Sequence, residues 1–209
     1  INIITGSAAA IGKELTENPI VKKISFTGST EVGKVLLQQS ASTVKKVSME
    51  LGGHAPFVVF EDANIDEAVT GAMQSKFRNS GQTCICANRI FVHEKVYDKF
   101  LDKFTKEVNK IKVGNGLEEG IVSGPLIDQP SLMKVLDQVK DAVNQGAKVA
   151  VGGDIHPLGG NFFQPTVLSN VTTEAKITYE ETFGPVAPLY KFSTDEEVIK
   201  LANDTPYGL

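Results

Sequence analysis

The chain has 209 residues, of which 41% are hydrophobic and 22% charged; this globular composition excludes an intrinsically disordered chain. Its net charge is -4 and no basic run exceeds two residues, which argues against a nucleic-acid-binding protein. No apolar run approaches the ~18 residues that a membrane span requires.

Strand and helix patterns alternate along the chain, which predicts an α/β fold with largely parallel strands. The elements predicted in the first part are strand Ile1–Thr5, helix Ala8–Leu15, strand Lys23–Thr27, a helix capped near Ser29 that ends near Gln39, and strand Val44–Met49. The next are strand Pro56–Phe60, a helix capped within Asp62–Asn64 that ends near Phe77, strand Arg89–His93, and helices over Tyr97–Val108 and Leu132–Val143. The last are strands Lys148–Val151, Phe162–Leu168 and Val186–Phe192, and a helix opened by a capping box of Thr194 and Glu197. Pro188 predicts an edge position or a break in its strand, because proline donates no ladder hydrogen bond.

Both chain ends fall inside such patterns, and no signal-like segment is present. We therefore expect an internal fragment of a longer, cytoplasmic protein. The two cysteines, Cys84 and Cys86, are too close for an unstrained structural disulfide and lack the further ligands of a zinc site. No histidine stands at metal spacing, so no metal is predicted. Each cysteine is then either a small apolar residue or a reactive thiol.

Two motifs lie in the first quarter of the chain. A strand leads into Gly28–Gly33 and a helix, and a helix N-terminus beside glycines suits a phosphate; the alternative is an ordinary turn. Glu50 ends a strand and precedes Gly52 and Gly53. In a cleft this carboxylate could act as a general base, whereas in solvent it would be an ordinary strand-end acid.

Two further motifs lie later in the chain. A polar loop over 79–83 presents Cys84, and Arg78 lies six positions before it; a loop cysteine is otherwise often inert. Glu181 and Phe183 stand two residues apart before Gly184-Pro185. This pair could hold a sugar diol and a flat ring, or the phenylalanine could simply be buried.

Taken together, the motifs resemble the aldehyde dehydrogenase superfamily. The residues that carry this resemblance are Phe26–Thr30, Glu50–Gly53, Gly81–Cys84, Glu181–Pro185 and Asn203–Leu209. The resemblance covers the whole chain. It implies that residues 1–52 are the C-terminal part of a Rossmann-like dinucleotide-binding domain. Residues 53–209 would form most of the α/β catalytic domain, truncated at its C-terminus.

The resemblance also implies the chemistry of the site, with NAD or NADP as cofactor and a homo-oligomeric parent protein. Cys84 would attack an aldehyde, and Glu50 would activate the water that hydrolyses the resulting thioester. The presence of Glu50 favours a free acid as product over a coenzyme A thioester. The residues implied in cofactor binding are Gly28 and Ser29 at the pyrophosphate, Gly33 in helix packing, Leu51 and Phe183 beside the nicotinamide, Glu181 at its ribose, and, more weakly, Lys134 at a ribose.

Within the superfamily, Ser75–Cys86 and Ser48–Phe57 are similar to succinate-semialdehyde dehydrogenases. Arg78 offers a planar fork that can bind a carboxylate at the far end of the substrate. It could instead act on the Cys84 thiol or pair with a surface acid. Glutarate semialdehyde is an alternative substrate, and a truncated, inactive binding module is an alternative function. Cys86 is either a redox partner of Cys84 or a small buried residue.

Overall fold

The computed structural model describes residues 1–209. They form two compact units, Ile1–Gly52 and Gly53–Leu209. No helix in either unit combines the length and hydropathy needed to cross a bilayer.

The first unit is a parallel two-stranded sheet with two helices. Its elements are α1 (Ala8–Glu17), β1 (Lys23–Thr27), α2 (Thr30–Ser40), a 3-10 turn (Ala41–Thr43) and β2 (Lys46–Glu50). Serine caps begin both helices: the Oγ of Ser7 accepts from the N–H of Ala10, and that of Ser29 from the N–H of Val32. These bonds satisfy N–H groups that have no partner inside the helix. The predicted Ser29 cap is therefore confirmed.

The predicted strand at Ile1–Thr5 is wrong. These residues form no regular element and pair with neither β1 nor β2. An apolar run becomes a strand only through ladder hydrogen bonds with a neighbour, and this segment forms none with β1 or β2. Ile1, Ile3 and Ile4 consequently remain exposed.

The second unit is a five-stranded sheet in the order β3-β4-β7-β6-β5, parallel except for the antiparallel β5–β6 pair. Its strands are β3 (Ala55–Val59), β4 (Ala87–His93), β5 (Lys148–Val151), β6 (Thr166–Ser169) and β7 (Val186–Phe192). Its helices are α3 (Ile65–Phe77), α4 (Glu94–Val108), α5 (Gln129–Asn144) and α6 (Asp195–Asn203), with 3-10 turns at Arg78–Gly81 and Lys176–Thr178. The largely parallel pairing predicted from the sequence is confirmed for this sheet.

Helices cover both faces of this sheet. Ile90 and Val92 of β4 pack in one apolar cluster with α3 and α4, whereas Phe91 packs in a second cluster with α5. Alternate side chains of a strand point to opposite faces, so a strand covered on both sides is apolar throughout. Every residue of β4 is buried, as this arrangement requires.

Strand β7 corrects the prediction for Pro188. It is the central strand, and Pro188 pairs with Leu168 at the end of the β6–β7 ladder. The β4–β7 ladder begins one residue later, at Leu189. Pro188 thus lies at the last position of the β6–β7 ladder and just before the first position of the β4–β7 ladder. Its missing N–H is therefore tolerated inside the sheet. The predicted strand at Phe162–Leu168 is also shorter, since regular pairing starts only at Thr166.

Candidate active site

The turn after α3 has an unusual backbone. Asn79, Ser80 and Gly81 have φ values of 51°, 56° and 72°, which place three consecutive residues in the left-handed region. This region disfavours residues with a Cβ, and such conformations persist only where the surroundings impose them. The turn presents Cys84 a few residues later.

Close packing and side-chain hydrogen bonds hold the turn in place. A Cβ on Gly81 would lie 2.1 Å from the carbonyl oxygen of Gly184, so only glycine fits there. The polar bonds are Ser80 Oγ with Ser123 Oγ (3.0 Å), the amide of Asn79 to the carbonyl of Gln82 (3.0 Å), and the N–H of Ile127 to Gln82 Oε1 (3.0 Å). The polar residues of this loop thus serve to fix its shape.

The two cysteines occupy different environments. Cys84 is a free, partly exposed thiol. Cys86 is free and buried, and its Sγ donates to the carbonyl of Lys76 over 3.3 Å. Only Cys84 is accessible to a substrate from outside.

Gly53 contacts the loop that carries Cys84 (residues 79–84, the cysteine loop). A Cβ on Gly53 would lie 2.0 Å from the carbonyl oxygen of Cys84. The Gly53 N–H donates to Oε1 of Glu181 over 3.1 Å. One glycine therefore links the Cys84 backbone with the Glu181 carboxylate.

The loop that carries Glu181 is also constrained. Phe183 has φ 51° and is 38% exposed, which rules out the alternative of a simply buried phenylalanine. The next residue, Gly184, lies against Val135 of α5: a Cβ there would meet a Val135 methyl group at 2.6 Å. An exposed aromatic ring on strained backbone is typical of a binding position.

Arg78 and Lys134 are both exposed. Neither belongs to any of the five ion pairs of the chain, and the Arg78 guanidinium forms no hydrogen bond within it. Pairing with a surface acid, one alternative for Arg78, is therefore not observed. Its guanidinium is free to bind an external anion.

Two of the three histidines, His54 and His93, are buried. His93 is buried and caps α4, its Nδ1 accepting from the N–H of Lys95. His54 is fully buried, and its Nε2 lies 2.8 Å from the carbonyl of Thr178. Burial lowers the pKa of His54 to about 4, with help from the positive charge of Arg89. The ring is therefore neutral near pH 7, and Nε2 donates.

The first unit contains the remaining predicted residues. Glu50, the last residue of β2, is exposed and its carbonyl accepts from the N–H of Gly28 over 3.0 Å. Leu51 packs on α2, where a Cβ on Gly33 would lie 2.5 Å from a Leu51 methyl group. Gly28 lies beneath the Phe26 ring, which a Cβ would meet at 2.4 Å. A side chain at Gly28 or Gly33 would therefore require the facing Phe26 or Leu51 side chain to move.

An apolar groove of about 850 Å³ lies within this unit. It is lined by α1, β1 and the face of α2 that carries Val32 and Leu36. The groove is next to the Ser29-capped start of α2, where backbone N–H groups lack intrahelical partners. An apolar groove beside a helix N-terminus can take a ligand that has a flat ring and a phosphate.

Three buried polar residues, Lys76, Asn88 and Arg89, were not predicted from the sequence. Arg89 donates to three carbonyls, of His54, Leu201 and Ala202, each at 2.9 Å. Lys76 could have been found, because it continues the apolar stripe of α3 four residues after buried Ala72. No sequence signal distinguishes Asn88 or Arg89 from exposed residues.

Comparisons with known proteins place these features in a family. The model of the aldehyde dehydrogenase family matches residues 1–209. The chain is 55% identical over 208 residues to the succinate-semialdehyde dehydrogenase, NADP(+), of Escherichia coli (strain K12) and 55% identical over 208 residues to the 3-sulfolactaldehyde dehydrogenase of Pseudomonas putida. It is 54% identical over 208 residues to the glutarate-semialdehyde dehydrogenase of Pseudomonas aeruginosa. The alignments cover 100% of this chain and 43% of each relative.

A solved structure, described as an E. coli NADP dependent enzyme, superposes with a TM-score of 0.98 at 55% identity and covers 100% of this chain and 43% of that one. The aldehyde-dehydrogenase-like α/β fold expected from the motifs is therefore confirmed. The chain spans less than half of the length of the relatives it matches.

Proposed function

The chain belongs to the aldehyde dehydrogenase family, and on that premise we propose that the full-length protein oxidises succinic semialdehyde to succinate with NAD or NADP. The observation that carries this proposal is the free thiol of Cys84, presented by a strained turn that starts at the unpaired cation Arg78. A nucleophile and an anion-binding group on one rigid segment suit an aldehyde with an acid at its far end.

The covalent step belongs to Cys84. Its thiolate adds to the aldehyde carbon and gives a thiohemiacetal, whose oxyanion the Cys84 backbone N–H would stabilise. Oxidation of this adduct leaves a thioester on Cys84. Because Cys86 is buried and bonded to the Lys76 carbonyl, only one of the two thiols is available for this role.

Deacylation is assigned to Glu50. As general base, its carboxylate takes a proton from water, which attacks the thioester, releases the acid and restores the thiol. A hydrolytic enzyme needs such a base, and Glu50 is an exposed carboxylate at the end of a parallel strand.

The chain's residues fit a nicotinamide dinucleotide. The start of α2 at Ser29 can bind the pyrophosphate, since Gly28 keeps the backbone free of a side chain there, and the apolar groove can hold the adenosine. Glu181, whose Oε1 is fixed by the Gly53 N–H, would bind the nicotinamide ribose, with Phe183 and Leu51 at the ring. Gly33 would allow α2 to pack closely, and Lys134 would contact a ribose of the cofactor. When bound, the nicotinamide supplies the acceptor for the hydride.

The names of the three relatives support an anionic substrate, because each denotes an aldehyde that carries a carboxylate or a sulfonate. Arg78 is our candidate for binding that group through two parallel N–H···O bonds. Glutarate semialdehyde would use the same residues with a longer pocket, so it remains the second candidate substrate.

The proposal is tested by NAD(P)H formation in the full-length protein, with succinic semialdehyde and with glutarate semialdehyde. We expect turnover in the wild type and none in Cys84→Ser. Glu50→Gln is expected to give a single burst of NAD(P)H, because acylation proceeds and hydrolysis stops. If the wild type binds nucleotide yet turns over no aldehyde, and Cys84 reacts with iodoacetamide no faster than a free thiol, the protein is an inactive binding module.

A further inference from the structure

A lysine outside the proposed reaction lies fully buried beneath the cysteine loop. Lys76 is in the last turn of α3, with 0% of its surface exposed. Its Nζ donates to Oδ1 of Asn88 over 2.8 Å, and no carboxylate pairs with it directly. Burying an ammonium group is costly, and an apolar side chain of similar volume would fill the same space with less cost. The charge therefore calls for a reason beyond packing.

Lys76 starts a continuous series of hydrogen bonds. Because an ammonium only donates, it fixes the Asn88 amide with its oxygen towards Lys76 and its NH₂ towards the opposite side. There Nδ2 donates to the carbonyl of Gly53 over 3.3 Å, and the N–H of Gly53 donates to Glu181 over 3.1 Å. The series connects a buried cation to the carboxylate assigned to the nicotinamide ribose.

The same series reaches the nucleophile. Gly53 has no room for a side chain, because a Cβ would lie 2.0 Å from the carbonyl oxygen of Cys84. Any shift of Gly53 is thus transmitted to the backbone of Cys84. The carbonyl of Gly53 is bonded to Asn88 and its N–H to Glu181. The orientation of the Asn88 amide therefore affects the position of the Glu181 carboxylate and of the Cys84 backbone.

Electrostatics support the arrangement. Burial lowers the pKa of Lys76, while the neighbouring Cys86 and the negative charge of Glu181 oppose this effect. The effect of the Glu181 charge on Lys76 means that the carboxylate lies within electrostatic reach of the buried amine, in addition to the hydrogen bonds that connect the two. Desolvation makes such an interaction stronger than it would be at the surface.

We propose that Lys76 is a positioning residue of the active site: through Asn88 and Gly53 it fixes the Glu181 carboxylate and the Cys84 backbone. This assignment rests on the roles proposed above for Cys84 and Glu181. Lys76 does not contact the reacting atoms. Its loss is expected to weaken cofactor binding and to slow Cys84 without unfolding the protein.

The test uses Lys76→Met in the full-length protein, because methionine is an unbranched side chain only one atom shorter than lysine and carries no charge. We expect an unchanged or higher Tm and slower iodoacetamide labelling of Cys84. The NAD(P)H dissociation constant should rise about tenfold, which corresponds to the loss of one charged hydrogen bond. The KM for the aldehyde should stay the same, because Arg78 is not part of the series. Lys95→Met, which removes an exposed lysine, is the matched control and should change none of these values.

A second variant covers the case in which Lys76→Met fails to fold. Asn88→Asp keeps an oxygen for Lys76 and loses the donor to Gly53, so it should reproduce the weaker cofactor binding. Wild-type affinity and labelling in Asn88→Asp, or in folded Lys76→Met, would overturn the proposal. A wild type without aldehyde turnover would instead refute the proposed function, so the two failures are distinguishable.

Discussion

Replacing Gly53 by alanine is the sharpest perturbation of the cysteine loop. The added Cβ would lie 2.0 Å from the Cys84 carbonyl oxygen, whereas ordinary C···O contacts are about 3.3 Å or longer. Backbone must therefore move by about 1.3 Å, and a misplacement of ~1 Å in an active site can cost about 100-fold in rate. Overpacking of this kind also destabilises by roughly 1–3 kcal/mol. We expect Gly53→Ala to fold with a lower Tm and to lose about 100-fold in kcat.

The assay combines kcat for NAD(P)H formation with the rate of iodoacetamide labelling at Cys84, measured well below the Tm of the variant. Gly116→Ala is the matched control, because no atom lies within 4 Å of its added Cβ. A Gly53→Ala protein with wild-type kcat and labelling would show that the contact between Gly53 and Cys84 does not position the nucleophile.

Three further predictions concern stability and redox chemistry. The pKa of His54 in the folded protein, about 4, lies below the ordinary histidine value of 6.5, so between these pH values the unfolded chain binds a proton that the folded chain does not. Stability is therefore kept above pH 6.5 and lost as the pH falls towards 4, by up to roughly 3 kcal/mol. Urea unfolding at pH 7.5 and 5 should show this loss, and a smaller one in His54→Asn. Arg89→Lys keeps the charge but leaves buried carbonyls without donors, so the free energy of unfolding should fall by about 3 kcal/mol or more. Equal urea midpoints for the variant and the wild type would contradict this. Peroxide is expected to convert the Cys84 thiolate to a sulfenic acid, from which the Cys86 thiol displaces water to form a disulfide. Intact mass should then fall by two hydrogens in the wild type and not in Cys86→Ser.

Local signals in the sequence predicted most helices correctly. Asn64 caps α3 by accepting from the N–H groups of Asp66 and Glu67. The capping box predicted for α6 forms in part: Thr194 Oγ1 accepts from the N–H of Glu197, but the Glu197 carboxylate accepts from the N–H of Ser193 rather than that of Thr194. Such caps depend on residues within one turn, so they can be predicted from spacing alone.

Features that depend on distant neighbours could not be predicted. The central position of Pro188 follows from how two strands share β7, and the burial of Lys76 follows from a partner twelve residues later, Asn88. In the candidate site, too, some features follow from local sequence and others from distant neighbours. Family motifs indicated Cys84 and Glu181, but the contact through Gly53 that connects them exists only in three dimensions.

We propose that Arg78 selects an aldehyde with a distal acid group for reaction with Cys84. Comparing kcat/KM for succinic semialdehyde and butanal, in the full-length wild type and in Arg78→Ala, tests this selectivity. A charged hydrogen bond is roughly twice as strong as a neutral one, and a bidentate pair supplies two of them. We therefore predict a preference for the acid-bearing aldehyde of about 100-fold, two steps of 1.4 kcal/mol. This preference should collapse in Arg78→Ala while the rate with butanal is retained. Equal rates on the two aldehydes in the wild type would contradict the assignment of the substrate and leave the family assignment in place.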